Sequence, residues 1–254
     1  MRIKGIFVRN QPMNRQKAIQ LLIDRLHARY YLEIGVFDGR CFMEIRAPYK
    51  VAVDPDMKIT FRYKLHAIRK RVENLRNQYK HLTSDAYFAS LQSSSPGRLF
   101  DVIFIDGLHT YSQTFIDIIH ALQFLNPKGA IVLHDINPDT EALALPASSR
   151  SAAMQAVGKS GGWCGDSWKA FHHLIACNRI LNQLDLFTLN CDYGLGVIFP
   201  KEEFNRNDWK GFSPESHYEN LPYEVLDRNR ADVIKPVEPD FINQYLNSKQ
   251  LKSV

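Results

Sequence analysis

The chain has 254 residues, 45% hydrophobic and 23% charged, a composition that suits a soluble globular fold with length for one large core and excludes a disordered or fibrous chain. A formal charge of +5 is too mild to imply a nucleic-acid partner, and no apolar run approaches the ~20 residues that cross a bilayer, so neither nucleic acid nor membrane is expected as a partner. The N-terminus carries basic residues without a signal-type apolar segment, and Cys41, Cys164, Cys177 and Cys191 stand apart without a C-x-x-C pair, which reads as reduced thiols in a cytoplasmic protein.

Taken in order, Asn14 is placed to cap a helix from Arg15 to about Arg29, with Ala18, Leu22 and Leu26 on one face and Ile19 and Ile23 beside them. The apolar run Tyr30 to Ile34 then reads as a buried strand entering a turn with Gly35 and Gly39, followed by a helix. Without a Cβ, such a turn lets backbone N–H groups approach a ligand, and the helix N-terminus adds partial positive charge. Glu33 beside it argues against phosphate, since two anions would repel in a half-buried pocket. Neither G-x-G-x-x-G nor G-x-x-x-x-G-K-[ST] is satisfied. Lys50 to Val53 predicts the second strand, ending in Asp54-Pro55. Asp54 follows the glycine turn by about twenty residues, the spacing at which a carboxylate accepts ribose hydroxyls.

The 4/3 spacing of Phe61, Leu65, Ile68, Val72, Leu75 and Tyr79 predicts one amphipathic helix over Thr60 to Tyr79, packed on a sheet by that stripe. Arg62, Lys64, Arg69, Lys70, Arg71 and Arg76 would form its solvated face. His81 to Thr83 reads as a short third strand, with Asp85 as cap of the next helix, and Leu91 to Gly97 as a surface loop. Phe100 to Ile105 has the two-sided apolar character of a central parallel strand. It ends in Asp106, and a helix carrying Phe115, Ile118, Ile119, Leu122 and Leu125 follows, closed by Asn126-Pro-Lys-Gly129. Ala130 to Leu133 makes the fifth strand, ending in His134-Asp135-Ile-Asn137.

This alternation predicts an α/β fold with a doubly wound, mostly parallel sheet. A helix over Ser167 to Leu181 leads to Leu184 to Asn190 and Gly194 to Phe199, an antiparallel hairpin at the sheet edge. Residues 138–165, rich in Ala, Ser and Gly, read as a lid, with Trp163 and Trp168 as lining or as core anchors. We take residues 1–200 as one domain and 201–254 as an extension that packs on it or on a partner subunit in a homo-oligomer. Glu33, Asp54, Asp85, Asp106 and Asp135 all fall at or near strand ends, where ligands of such sheets bind.

Several segments resemble a known family. Glu33, Gly35 and Gly39 match the E-x-G-x-x-x-G cofactor motif of class I S-adenosylmethionine-dependent methyltransferases. Asp101-Val-Ile-Phe-Ile-Asp-Gly-Leu-His-Thr-Tyr111 and Gly129-Ala-Ile-Val-Leu-His-Asp135 resemble the D-G-x-H-x-Y and H-D signatures of the methyltransferase 24 group, which has catechol-type and sugar O-methyltransferase relatives. Trp163 to Lys169 and Asp192 to Ile198 are similar to later segments of those relatives.

The resemblance implies a Rossmann-like methyltransferase fold and transfer of a methyl group from S-adenosylmethionine to a small hydroxylated acceptor, a sugar or glycan among the candidates. It implies cofactor contacts from Glu33, Gly35, Phe37, Gly39, Asp54, Asp85, Ala86 and Asp106, with Asp85 on the adenine amine and the Ala86 N–H on a ring nitrogen. It implies catalysis by His109, Asp106 and Asp135, and Mg²⁺ held by Asp106, Asp135 and Asn137. Here the adjacent Asp-Asn pair of the relatives is replaced by Asp135-Ile-Asn137. His134 reads as a packed neighbour. The rival functions are an NAD-type oxidoreductase, opposed by the missing third glycine and by Glu33, and a noncatalytic nucleoside-binding module, opposed by Asp106, His109 and Asp135.

Overall fold

Parallel strands dominate because each apolar run is followed by a helix long enough to cross back over the sheet. The computed structural model describes residues 12–93, 98–147, 150–157 and 162–251. In chain order it runs α1 (Arg15–Arg25), β1 (Tyr30–Ile34), α2 (Arg40–Glu44), β2 (Tyr49–Val53), α3 (Phe61–Lys70), β3 (Gln78–Lys80), α4 (Ser84–Gln92), β4 (Phe100–Ile105) and α5 (Tyr111–Phe124). There follow β5 (Leu125–Leu133), α6 (Arg150–Val157), α7 (Ser167–Leu181), β6 (Leu184–Leu189), β7 (Leu195–Pro200), β8 (Pro236–Val237) and a terminal helix Phe241–Leu251. Part of the expected loop, 94–97, and part of the expected lid, 148–149 and 158–161, lie outside the described residues.

The described strands order as β3-β2-β1-β4-β5-β7-β6-β8. Pairing is parallel from β3 to β5 and antiparallel for β5 with β7 and β7 with β6. The expected α/β sheet with an antiparallel pair is therefore present, and β8 adds a short parallel strand outside it. Strand order reverses between β1 and β4, and the crevice beyond the carboxyl ends at such a switch point is where ligands bind. Alternate residues of the central strands feed two cores: Leu32, Ile34, Ile103 and Ile105 pack with α5 and α7, while Tyr31, Val102 and Phe104 pack with α1 and α2. No helix among the described residues is long and apolar enough to cross a membrane.

Several elements differ from expectation. α1 ends at Arg25, because His27 takes a left-handed φ of 52° and turns the chain into β1. β5 starts at Leu125, with a register shift opposite Asp101 where the Asn126-Pro-Lys-Gly129 turn had been expected to close α5. The long helix over Thr60 to Tyr79 is broken: α3 stops at Lys70, Arg71 is extended, and a 3₁₀ turn spans Val72–Arg76. The third strand accordingly falls at Gln78–Lys80 rather than His81 to Thr83. Nor does the apolar stripe pack on the sheet, since Phe61, Val72 and Leu75 are 78%, 67% and 64% exposed.

The cause is Lys50. Its ammonium is buried, donates to Phe42 O, Ile45 O and Asn74 Oδ1, and so draws Asn74 inward and ends the helix. A buried cation needs that full set of acceptors.

The tail contributes to the core. Trp209 is buried and donates through Nε1 to Gln183 Oε1, and Tyr223 and Arg230 both donate to Pro138 O.

Candidate active site

The glycine turn and the end of β4 are built against each other. Gly35 has φ +81°, and a Cβ there would lie 2.0 Å from the backbone oxygen of Asp106. Its N–H donates to Val53 O, while Asp106 N–H donates to Ile34 O, both at 2.9 Å. Gly35 is thus required by the crossing of two backbones, a reason apart from the ligand approach that the sequence implied. At Gly39, φ +79°, an added Cβ would meet only the flexible end of Ile59.

Asp54, at the end of β2, organises the same turn. One carboxylate oxygen accepts from Phe37 N–H and the other from Asp56 N–H, each at 2.7 Å. Phe37 takes a left-handed φ of 45° and leaves its ring 42% exposed.

Glu33 belongs to the interior. It is 1% exposed and accepts from the Tyr31 hydroxyl, so it braces the turn from behind. Burial pushes its carboxyl up to about 8. The sign for stability follows from linkage. Below the ordinary value of 4.5 both folded and unfolded chains hold this proton; between 4.5 and about 8 only the unfolded chain releases it, so stability falls across that window. Asp117, which burial pushes to about 7, adds to the fall. We expect Glu33→Gln, which keeps an acceptor for Tyr31, to flatten the decline and to be more stable than wild type at pH 8 by on the order of 2–5 kcal/mol. Urea midpoints at pH 5 and pH 8 check this.

Asp85 is not the cap of α4. Thr83 is, accepting the Ala86 N–H through Oγ1 at 3.3 Å. Asp85 sits exposed in the first turn, 3.3 Å from Gln113 Nε2 and 3.7 Å from His120 Nδ1. The expected Ala86 contact with an adenine nitrogen would have to share an N–H already used by this cap.

The charged centre lies at the ends of β4 and β5. His109 Nε2 is 2.9 Å from Asp106 Oδ1, and His109 Nδ1 is 3.2 Å from both Asp135 Oδ2 and the Trp163 carbonyl. The Trp163 ring lies tilted against the His109 ring, centroids 5.0 Å apart, whereas Trp168 is buried in the core. A segment from the expected lid holds the His109 loop. Gly165, φ +60°, lies so close that a Cβ would meet His109 O at 1.9 Å, and Asp166 Oδ1 accepts from Tyr111 N–H.

Three contributors were not assigned from sequence. The Arg15 guanidinium grips Asp192 with Nε and Nη2 at 2.9 and 3.0 Å, and reaches Asp106 Oδ2 with Nη1 at 2.9 Å. His134 is 4% exposed, with Nδ1 2.9 Å from Asp135 Oδ1 and 3.3 Å from Asp106 Oδ1. Asn137, expected beside them as a metal ligand, is engaged elsewhere: Oδ1 accepts from Arg230 and Nδ2 donates to Asn190 Oδ1.

The electrostatics of the cluster are mutual. Burial alone would depress His109 and His134, but Asp135 and Asp106 outweigh it and hold both imidazoles above the usual histidine range. Burial would raise Asp106, yet His134 and His109 hold it well below the usual carboxylate range; His134 and Arg15 do the same for Asp192. His109, Asp135 and Asp192 also share positive φ values of 59°, 59° and 50°. Such conformations cost on the order of 1 kcal/mol each and concentrate where side chains must be aimed.

A family model described as a methyltransferase domain, Methyltransf_24, matches residues 32–136, from β1 through the Asp106–His109 loop to just past Asp135. That segment of the chain is similar to a methyltransferase domain. Solved structures share the fold. The O-methyltransferase from Bacillus cereus in complex with SAH superposes with a TM-score of 0.50 at 16% identity, covering 76% of this chain and 84% of that one. The O-methyltransferase TomG from Streptomyces achromogenes, involved in tomaymycin synthesis and in complex with SAM, gives 0.51 at 15% identity, covering 73% and 79%. A search of curated proteins finds no match. At these identities the superpositions speak for the fold, and the chemistry has to come from the site.

Proposed function

We propose that the methyltransferase domain transfers a methyl group from S-adenosylmethionine to a hydroxyl of a small acceptor, a sugar or glycan among the candidates, with the cluster of Asp106, His109 and Asp135 taking the hydroxyl proton. The observation that carries this reading is His109, held between two carboxylates at the switch point beside the glycine turn. Exposed large side chains in the loops that carry the site suit the nucleoside and a ring-shaped acceptor: Phe37 in the glycine turn, Leu108 beside His109 and Tyr193 beside Asp192 are 42%, 42% and 41% exposed. Asp54 offers acceptor-only oxygens to ribose hydroxyls from the end of β2.

When bound, S-adenosylmethionine supplies an electrophilic methyl carbon and a thioether leaving group. The residues of this chain have to position the acceptor and remove its proton. A hydroxyl entering at Asp106 would meet the His109 ring nitrogen that faces it, which accepts the proton when the imidazole is in its neutral form, with Asp135 fixing the far side of the ring. The Arg15 guanidinium holds the Asp106 carboxylate in place through its other oxygen, Oδ2. The two carboxylates also fit a divalent cation, which would polarise the acceptor oxygen; Asp106 and Asp135 are the groups that would hold it.

Calorimetric titration with S-adenosylhomocysteine and NAD in parallel tests the reading. Binding of the sulfur nucleoside alone is expected, and NAD binding in its place would turn the assignment to an oxidoreductase. In the same assay Asp54→Ala is expected to weaken S-adenosylhomocysteine binding by about 10- to 100-fold, the cost of lost charge-assisted hydrogen bonds, against about threefold for Asp106→Ala. Equal losses would break the division of labour between the two strand ends.

A further inference from the structure

His134 is the polar side chain in this centre that no step above uses. Its ring is sealed at 4% exposure, edge-on to Phe104, and neither ring nitrogen has a well-directed hydrogen bond. An imidazole so placed, with both nitrogens unsatisfied, is costly unless something else meets it. What surrounds it is anionic: Nδ1 faces Asp135 Oδ1 at 2.9 Å and Asp106 Oδ1 at 3.3 Å, and Nε2 lies 3.5 Å from Asp192 Oδ1.

The separations are those of ligands sharing an ion. One ligand atom each from Asp106, His134 and Asp135 lies within 4.8 Å of the others. With metal–ligand bonds of about 2.1 Å, neighbouring donors in a tetrahedral or octahedral shell sit roughly 3.0–3.4 Å apart. Charge agrees, because three carboxylates, Asp106, Asp135 and Asp192, meet here with one guanidinium, Arg15, which pairs with Asp106 and Asp192; protons on the imidazoles would balance the remainder, and a bound cation would take their place. Arg15 contacts Asp106 on Oδ2, while Oδ1 faces both His109 Nε2 at 2.9 Å and His134 Nδ1 at 3.3 Å. The third oxygen donor expected from the sequence is missing, since Asn137 Oδ1 is taken by Arg230.

We propose that Asp106, His134 and Asp135 form a divalent-cation site whose imidazole ligand selects a transition metal such as Mn²⁺, Fe²⁺, Co²⁺ or Zn²⁺ over Mg²⁺. Two carboxylates alone would suit a hard, hydrated Mg²⁺, and exchanging the amide oxygen for an imidazole nitrogen moves the preference to borderline ions. The inference rests on reading this centre as the acceptor side of the methyltransferase, and it changes the third ligand and the class of metal.

The test uses the full chain, stripped with chelator and titrated with Co²⁺ while its visible absorption is followed. Saturation at one Co²⁺ per chain is expected, with Mg²⁺ displacing it only at a large excess. His134→Leu should weaken Co²⁺ binding by about 100-fold or more, beyond the 10- to 100-fold typical of residues that merely orient a ligand. Asn137→Ser should bind Co²⁺ as wild type does. Titration of each variant with S-adenosylhomocysteine checks that the fold and the cofactor side are intact. No Co²⁺ binding by wild type, unchanged binding in His134→Leu, loss in Asn137→Ser with S-adenosylhomocysteine affinity retained, or competition by equimolar Mg²⁺ would each overturn the proposal. Co²⁺ binding without any affinity for S-adenosylhomocysteine would leave the metal site standing and remove the methyltransferase reading instead.

Discussion

His109→Asn is expected to lower the turnover of methyl transfer by roughly 10²–10⁴-fold, the range that a positioned acid–base group supplies, while S-adenosylhomocysteine affinity stays within about threefold. Asparagine is the replacement of choice because position 109 has φ +59°, which asparagine tolerates better than alanine, so loss of activity is not confounded by backbone strain. Its amide cannot carry a proton between carboxylates. The ring it removes also supports Trp163, whose ring centre lies 5.0 Å away, so near-ultraviolet circular dichroism should accompany the assay to show that the Gly165–Asp166 segment stays docked. A loss of less than tenfold would place proton removal on Asp106 or Asp135 and leave His109 as a spacer between them.

How much of this centre could be read from sequence depends on what each residue's placement rests on. Asp106 and Asp135 follow from local signals, because each ends an apolar run that is buried on both faces in β4 or β5, and the switch point brings those ends together. α7 was legible to the residue, Ser167–Leu181, since its apolar periodicity is uninterrupted. Arg15 and Asp192 were not legible: their bond joins the first helix to the hairpin between β6 and β7 across 177 positions, and a single arginine before an amphipathic helix carries no sign of its partner. His134 was set aside as packing, which its burial bears out; only the carboxylates brought in by β4 and β5 give it a charged setting. α3 failed for a related reason. The 4/3 pattern continued through Arg71, but Lys50 had to recruit Asn74 from outside the strand, and the energy of satisfying a buried ammonium outweighs a helical turn's propensity. The stripe that periodicity assigned to the core was left on the surface as a result.

Gly35→Ala should be a strongly damaging single-methyl change, costing on the order of 3–5 kcal/mol, because conformational strain at positive φ and a steric clash act together. The new Cβ would sit 2.0 Å from Asp106 O, 2.4 Å from Asp106 C and 2.7 Å from Gly107 Cα, all backbone atoms with no rotamer to escape into. Relief requires the ends of β1 and β4 to part, which breaks the Asp106 N–H to Ile34 O bond and carries Asp106 away from His109, Arg15 and His134 together. Gly39→Ala is the control. Its φ of +79° is nearly the same, but its Cβ would meet only Ile59 Cδ1 and Cγ1, at 2.8 and 2.9 Å, which a rotamer change relieves. Its cost should therefore be about 1–2 kcal/mol, the conformational part alone. Urea midpoints of the two variants separate the effects. Similar destabilisation in both would mean that positive φ accounts for everything and that the contact between the glycine turn and the Asp106 backbone does not hold the charged centre in register.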